Sequence, residues 1–183
     1  MAEEVEEELL KPGQRFGDYT VVRRLGKGGM GVVYLVEHPT DGQFAVKIVD
    51  PKAANDNGFV RRFAHEGAFA MKIRHPNLIA VYDMGQDPET GYYYLVMDYM
   101  PGGDVFQRLK ERGRFPIDEA VLIVEQVANA LAEAHEHGVI HRDIKPSNIM
   151  FDADGTPKLA DLGVAKFSDA GQTMLTMANV MIG

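Results

Sequence analysis

The chain has 183 residues, of which 45% are hydrophobic and 25% are charged, a composition typical of a folded globular protein. Its net charge of −8 argues against a general nucleic-acid-binding role and against attraction to an anionic membrane surface. Because it contains no cysteine, disulfides, thiolate metal sites and cysteine nucleophiles are excluded.

The apolar runs are shorter than a membrane-spanning helix requires, and no signal-peptide pattern is present. We therefore expect a cytoplasmic location with no membrane contact in this segment, whether the protein stands alone or forms the cytosolic part of a longer, anchored one. Residues 1–17 carry five glutamates followed by Lys11-Pro12-Gly13. This stretch predicts a flexible acidic tail, with folded structure beginning near Asp18.

Strands predicted at 19–25 and 32–36 flank the sequence Gly26-Lys27-Gly28-Gly29-Met30-Gly31, which has the pattern G-x-G-x-x-G. A dinucleotide-binding fingerprint would need a helix after these glycines. The β-branched residues that follow Gly31 predict a strand instead. A hairpin with a glycine-rich tip suits a flap whose backbone amides approach phosphate groups.

A third strand is predicted at 44–49, and its alternation places Ala45, Lys47 and Val49 on one face. The next predicted element is a helix over 58–74, with Glu66 inside its apolar stripe. A buried charge without a partner is costly, so Lys47 and Glu66 would each be explained by an ion pair with the other. An isolated lysine at this position would more often extend to solvent.

Further strands near 78–84 and 92–99, joined by a turn at 87–91, complete a predicted five-stranded antiparallel sheet with one helix. The Pro-Gly-Gly sequence at 101–103 predicts a linker, and Asp104 is placed to cap a helix over 105–112. The longest helix is expected over 117–137, before Gly138. Its apolar surface is broad enough to be covered on more than one side, and its main stripe consists of Ile117, Val121, Val124, Ala128, Leu131 and His135.

Residues 141–148, His-Arg-Asp-Ile-Lys-Pro-Ser-Asn, place a carboxylate, two cations and an amide between two apolar pairs. Pro146 disfavours the helical conformation at Lys145, so an ordered loop is predicted. A polar loop between buried anchors is typical of segments that carry chemistry. A hairpin turned at 152–155 follows, and then Asp161-Leu162-Gly163.

In this order, the motifs resemble those of the protein kinase family, in the form of its bacterial-type serine/threonine kinases. Residues 141–148 match H-R-D-x-x-x-x-N, with the lysine at 145 that serine/threonine kinases carry. Residues 161–163 match D-F-G with leucine for phenylalanine. The resemblance implies an α+β, protein-kinase-like fold, with a five-stranded antiparallel N-lobe sheet, one helix and a partial, mainly helical C-lobe.

The resemblance also divides the chain into the tail at 1–17, the N-lobe at 18–98, and the hinge with a truncated C-lobe at 99–183. The chain stops within the activation segment, before A-P-E, so a partial catalytic domain is expected. Apolar surface bared on the long helix around Leu122, Ile123 and Val127 is expected to promote self-association. Thr173 and Thr176 are candidate phosphorylation sites.

The implied reaction transfers the γ-phosphoryl group of ATP to serine or threonine hydroxyls of proteins. Asp143 would orient the hydroxyl and accept its proton, and Lys145 would neutralise charge on the moving group. Lys47, held by Glu66, would position the phosphates. The implied metal is Mg²⁺, or Mn²⁺ in its place, on Asn148 and Asp161. The remaining implied ATP-binding residues are Gly26, Gly28, Gly31, Val33, Ala45, Met97, Asp98, Met100, Asp104 and Met150.

Two alternatives are open from the sequence. The first is an ATP-binding regulatory module or inactive fragment, which the truncation of the C-lobe favours and the complete set of motif residues disfavours. The second is a small-molecule kinase of the same fold. Such kinases usually lack an arginine beside the catalytic aspartate, whereas this chain has Arg142.

Overall fold

A computed structural model of the chain describes residues 9–28, 31–49, 51 and 57–161. The chain divides into two compact units. Unit 1 comprises Met1–Asp56 and Val81–Tyr99, and unit 2 comprises Asn57–Ala80 and Met100–Gly183. Among the helices in the described ranges, none combines the length and the apolar character needed to cross a membrane.

Unit 1 is built on a six-stranded antiparallel sheet with the strand order β1-β2-β3-β4-β6-β5. The antiparallel sheet was predicted correctly, but the predicted count of five strands is wrong because a short first strand pairs with the edge of β2. The strands are β1 Arg15–Phe16, β2 Tyr19–Gly28, β3 Gly31–His38, β4 Gly42–Val49, β5 Val81–Gln86 and β6 Tyr93–Asp98.

The segment before β2 is part of the folded unit from residue 9 onward. Leu10 is fully buried, and its backbone N–H donates to the Tyr34 hydroxyl at 3.2 Å. The backbone N–H of Gly13 donates to the Val21 carbonyl at 2.7 Å. The prediction of a flexible tail over 1–17 is therefore wrong for residues 9–17, because Leu10 and Phe16 cover apolar surface that the sheet would otherwise expose.

The apolar cluster that contains Leu10 also includes an aromatic pair, Phe16 and Tyr94. The rings of Phe16 and Tyr94 meet edge-on with their centroids 5.2 Å apart, and the Tyr94 hydroxyl donates to Asp83 at 3.0 Å. Burial, followed by this hydrogen bond, raises the pKa of Tyr94 to about 12. Because the pKa of Tyr94 is higher in the folded chain than in the unfolded one, the neutral hydroxyl contributes its full stabilisation of the fold below pH 10.0. This contribution is lost as the pH rises through about 12.

Up to residue 161, where the described part of the chain ends, unit 2 contains three α-helices and a two-stranded sheet. The elements are α1 Asn57–Ala70, α2 Val105–Arg112, α3 Ile117–Glu136, a 3₁₀ turn at Pro146–Asn148, β7 Ile149–Phe151 and β8 Pro157–Leu159. Asp104 caps α2 as predicted, since its carboxylate accepts the Gln107 backbone N–H at 2.8 Å. The core joins residues of α2, α3, β7 and β8 to Ile73 and Leu78, which follow α1. Ile73 and Leu78 thus lie in the core of unit 2, the unit that also contains α1.

The long helix α3 buries a different stripe from the predicted one. Its buried residues are Ile123, Val127, Ala130 and Ala134. The first half of the predicted stripe instead faces outward, with Ile117 84%, Val121 59% and Val124 65% exposed, whereas Leu131 packs against the core. The expectation that Ile123 and Val127 are bared is wrong, and only Leu122 of the three predicted residues is exposed, because the helix packs one face against β8 and its neighbours.

The buried position of Leu10 generates the first prediction. Leu10→Ala should lower the free energy of unfolding by about 2–5 kcal/mol, because it removes buried methyl groups and leaves a cavity beneath a fixed segment. Urea denaturation of the purified chain measures this loss. Lys11→Ala is the matched control, since Lys11 is exposed and next in the chain. Equal stability of the two variants would show that residues 9–13 do not pack on the sheet in solution.

Candidate active site

Strand register brings four of the predicted ATP-binding residues of unit 1 onto one face of the sheet. Val33 lies directly opposite Lys47, and Ala45 lies directly opposite Met97. Directly paired residues share a face, and Ala45 and Lys47 share one because side chains alternate along a strand. Gly26 pairs with Val33 from the other side. Val33, Ala45, Lys47 and Met97 therefore lie together on one face of the sheet.

The three predicted flap glycines differ in what they do structurally. Gly31 has φ +146°, and a Cβ atom at this position would overlap the carbonyl oxygen of Ile48 on β4. Gly26 and Gly28 have open space around the corresponding position. Glycine is therefore obligatory at 31 for close approach of β3 and β4, whereas at 26 and 28 the structure itself imposes no such steric requirement.

The end of β6 carries Met97 and Asp98. Asp98 pairs with Phe44 on β4, and its carboxylate accepts the Tyr82 hydroxyl at 2.6 Å. Its side chain is thus engaged within the sheet.

In unit 2 the loop over 141–148 gathers its polar groups around Asp143. The Lys145 ammonium lies 2.9 Å from Asp143 Oδ2. The Asn148 side-chain amide donates to the Asp143 carbonyl at 2.8 Å and to Oδ2 at 3.2 Å. The predicted base, cation and amide are therefore in mutual contact, and two of the three contacts fix the same carboxylate oxygen.

His141 connects this loop to the end of β8. It is buried, its Nδ1 accepts the Asp143 backbone N–H at 3.2 Å, and its Nε2 lies 2.7 Å from the Ala160 carbonyl oxygen. Since Nδ1 accepts, the ring is the neutral tautomer with its proton on Nε2, which donates to Ala160. Sequence reasoning did not find this link, because nothing in the sequence pairs a histidine with a carbonyl 19 residues later.

Two non-glycine residues of this site adopt left-handed backbone conformations. Arg142 has φ 61° and Asp161 has φ 57°. Such conformations cost about 1–3 kcal/mol each and persist only where surrounding contacts enforce them. Here Asp143 and Ala160, the neighbours of these two residues, are both hydrogen-bonded to His141.

Two of the predicted ATP-binding residues of unit 2, Asp104 and Met150, also lie side by side. Asp104 forms a β-bridge with Met150. The preceding linker pairs with β7, because Gly102 N–H donates to the Phe151 carbonyl at 3.0 Å and Phe151 N–H donates to Gly103 at 2.9 Å. The linker that carries Asp104 and the strand that carries Met150 are therefore joined by backbone hydrogen bonds. We call these two paired segments the strip. Met100, at the start of this segment, is buried.

Several predicted features lie outside the described part of the chain. They are the side chain of Glu66, Leu162, Gly163, Thr173 and Thr176. The ion pair of Lys47 with Glu66 consequently stays a prediction. So do the two phosphorylation sites.

Two oxygen ligands near the loop, from Asn148 and Asp161, suit a hard cation such as Mg²⁺. In the described ranges no group of three or more His, Cys, Asp or Glu side chains is arranged to hold a metal ion. Asn148 donates its amide N–H groups to Asp143, which leaves its side-chain oxygen as the ligand atom. An amide oxygen and the carboxylate of Asp161 are the ligands that Mg²⁺ prefers when phosphate oxygens and water complete its shell.

The model of the protein kinase domain family matches residues 19–181, and the chain belongs to this family. Among curated proteins, it is 39% identical over 168 residues to the serine/threonine-protein kinase PrkC of Bacillus subtilis, an alignment that covers 91% of the chain and 25% of PrkC. It is 40% identical over 163 residues to the serine/threonine-protein kinase PknI of Mycobacterium tuberculosis, covering 85% of the chain and 28% of PknI.

The solved structures agree with the sequence relatives. A crystal structure of the M. tuberculosis PknI kinase domain superposes with a TM-score of 0.74 and 40% identity, and covers 85% of this chain and 63% of that one. The predicted family and its kinase fold are thereby confirmed. The chain spans about a quarter of the length of PrkC and of PknI.

The steric difference between the glycines generates the second prediction. Gly31→Ala should lower the free energy of unfolding by about 3 kcal/mol, because Cβ and the Ile48 carbonyl cannot both keep their positions. Gly26→Ala is the matched control and should change stability by less than about 1 kcal/mol, since its surroundings are open. Thermal denaturation followed by circular dichroism measures both. A tolerated alanine at 31 would contradict the close approach of β3 to β4.

Proposed function

We propose that this chain carries the catalytic residues of a serine/threonine protein kinase, which transfers the γ-phosphoryl group of ATP to hydroxyl groups of protein substrates. The observation that supports this most directly is the environment of Asp143. Its carboxylate is held by Lys145 and Asn148, and its backbone is held by Asn148 and His141. A carboxylate fixed from several sides is prepared to accept a proton at one defined place.

The chemistry of the step assigns a task to each group. The substrate hydroxyl oxygen forms a bond to the γ-phosphorus while the bond from that phosphorus to the β,γ-bridging oxygen breaks, which leaves ADP. The hydroxyl proton passes to Asp143. Oδ2 of Asp143 receives Lys145 and Asn148, which would hold the carboxylate in place for this transfer. Lys145 would balance negative charge on the transferred group.

ATP would be bound by residues from each unit. Unit 1 would supply one face of its sheet. There Val33 and Ala45 would contact adenine, and Lys47, held by Glu66, would bind the phosphates. The flap glycines would bring backbone amides to the phosphates, and the backbone of Asp98 would read the adenine edge beside Met97. In unit 2, Met100 and Met150 would contact adenine and Asp104 would bind ribose.

Mg²⁺ would be held by the Asn148 side-chain oxygen and the Asp161 carboxylate, and Mn²⁺ could take its place. When bound, the ion neutralises phosphate charge. The alternatives of a regulatory ATP-binding module or a small-molecule kinase have less support, since the matched relatives are named serine/threonine-protein kinases. A role in signalling and a cytoplasmic location accord with the use of ATP and protein substrates.

The role of Asp143 generates a test of the reaction. Asp143→Asn should reduce phosphate transfer at least about 10²-fold, because asparagine cannot accept the hydroxyl proton. Transfer of radiolabelled phosphate from ATP to a generic protein substrate measures the rate. Asp154→Asn, an exposed position in the β7–β8 turn, is the matched control. Equal rates for wild type and Asp143→Asn would contradict the assignment of Asp143 as the base.

Nucleotide binding can be tested separately from transfer. At Mg²⁺-ATP concentrations about 100 times Kd, folding should be stabilised by about 2.7 kcal/mol, visible as a raised Tm. Asp161→Asn should abolish most of the magnesium-dependent part, and asparagine tolerates the left-handed conformation at 161. Chelation of magnesium with EDTA gives the same comparison on the wild-type chain. A folded sample whose Tm is unaffected by Mg²⁺-ATP would rule out the proposal.

We further propose self-association through the outer face of α3. Ile117, Val121 and Val124 repeat at helical spacing, and all three are more than half exposed. Leu122 beside them is also exposed. A continuous apolar stripe of this kind is unusual on the surface of a monomer and favours contact with a second copy.

Because of the apolar stripe, we expect the molecular mass in solution to increase with protein concentration. Light scattering should show dimers or larger species as the protein concentration rises, and Val124→Lys should shift the mass toward the monomer. Asn129→Lys is the control, because it adds the same charge to an exposed position of the same helix outside the stripe. A strictly monomeric wild type, or an equal effect of both lysines, would contradict association through this face.

A further inference from the structure

Arg108, in the first turns of α2, makes contacts that none of the roles above explains. Its Nε and Nη2 both donate to the Gly102 carbonyl oxygen, at 3.3 Å and 3.1 Å. Its guanidinium carbon lies 3.4 Å from the centroid of the Phe151 ring. One side chain therefore contacts the linker that precedes α2 and the strand β7 that pairs with that linker.

Both partners of Arg108 are parts of a tightly packed strip. Phe151 is buried, and it exchanges backbone hydrogen bonds with Gly102 and Gly103. A Cβ atom on Gly102 would lie 2.7 Å from Phe151 Cβ, so linker and strand approach as closely as glycine allows. A guanidinium stacked on an aromatic ring and donating twice to one carbonyl is held in a single geometry, which lysine cannot reproduce.

We infer that Arg108 is a positioning residue: it clamps the linker to β7 and thereby holds Asp104 and Met150 where the proposed nucleotide site uses them. The inference rests on the proposed function for the roles of those two residues. Asp104 is two residues from Gly102, and Met150 is the neighbour of Phe151, so the clamp sits beside both members of the Asp104–Met150 bridge. The α2 cap uses one carboxylate oxygen of Asp104, which leaves the other for a ribose hydroxyl.

The clamp should therefore affect recognition of the sugar more than recognition of the phosphates. If Asp104 accepts a hydrogen bond from the ribose 2′-hydroxyl, wild type should prefer ATP to 2′-deoxy-ATP by about tenfold. Release of the linker would move Asp104 out of reach. The preference should then fall toward one, mainly through weaker binding of ATP.

The experiment compares Arg108→Met with Arg112→Met. Both substitutions remove one positive charge from α2, but Arg112 contacts Glu119 at the surface at 3.2 Å and takes no part in the clamp. Calorimetry measures the Kd of Mg²⁺-ATP and of Mg²⁺-2′-deoxy-ATP for each variant. Hydrogen–deuterium exchange at the amides of Gly102 and Phe151 measures the clamp itself and needs no nucleotide.

With Arg108→Met, we expect exchange at these two amides to be about tenfold faster and the ATP preference to be largely lost. Arg112→Met should behave as wild type in both measurements. Unchanged exchange in Arg108→Met would overturn the clamp. Faster exchange with an unchanged ATP preference would overturn its role in ribose recognition.

Two further outcomes separate this inference from the proposed function. If wild type binds both nucleotides equally, the role in ribose recognition is overturned while ATP binding stands. If wild type binds neither, the proposed function fails, and the exchange measurement still decides whether the clamp exists. Should Arg108→Met not fold, Arg108→Lys keeps the stem and the charge without the planar stack, and faster exchange in that variant is the expected result. Wild-type exchange in Arg108→Lys would overturn the clamp.

Discussion

The rest of the site depends on the hydrogen bonds that the side chain of Asn148 makes with Asp143. Asn148 is buried, its amide donates to the carbonyl and the carboxylate of Asp143, and its backbone carbonyl accepts the Ala160 N–H at 2.8 Å. A buried amide is costly unless it is paired, so this arrangement stabilises the loop only when every partner is present. One residue thus ties the loop to the segment that ends in Asp161.

The strained backbone at Arg142 and Asp161 follows from this arrangement. Left-handed conformations at two non-glycine residues persist because Asp143 and Ala160, which adjoin them, are hydrogen-bonded to His141 and Asn148. The loop is in turn anchored to a core, since Phe151 and Leu159 on β7 and β8 pack against α3. Packing of the unit therefore supplies the free energy that holds the backbone around Asp143 and Asp161 in place.

Much of the fold could be predicted from local sequence patterns. The errors concern tertiary packing, which those patterns do not determine. Alternation predicted β2 to β6, and glycine, proline and Asp104 marked the ends of α2 and α3. Periodicity cannot say which of two apolar stripes on α3 meets the core, so the stripe through Val124 was taken as buried and the one through Ile123 as bared. Likewise, β1 is too short to have a period, and only Leu10 and Phe16 against the sheet reveal it.

The sequence by itself determined the family and the residue types of the site, because glycines, Lys47, Asp143, Asn148 and Asp161 stand in an order that little else requires. Only the tertiary structure decided which atoms meet. The tautomer of His141, the hydrogen bonds of Asn148 and the stacking of Arg108 on Phe151 each join residues that are separated in the chain. Spacing along the chain carries information about local conformation, whereas contacts across it arise from packing, and packing depends on all of the residues at once.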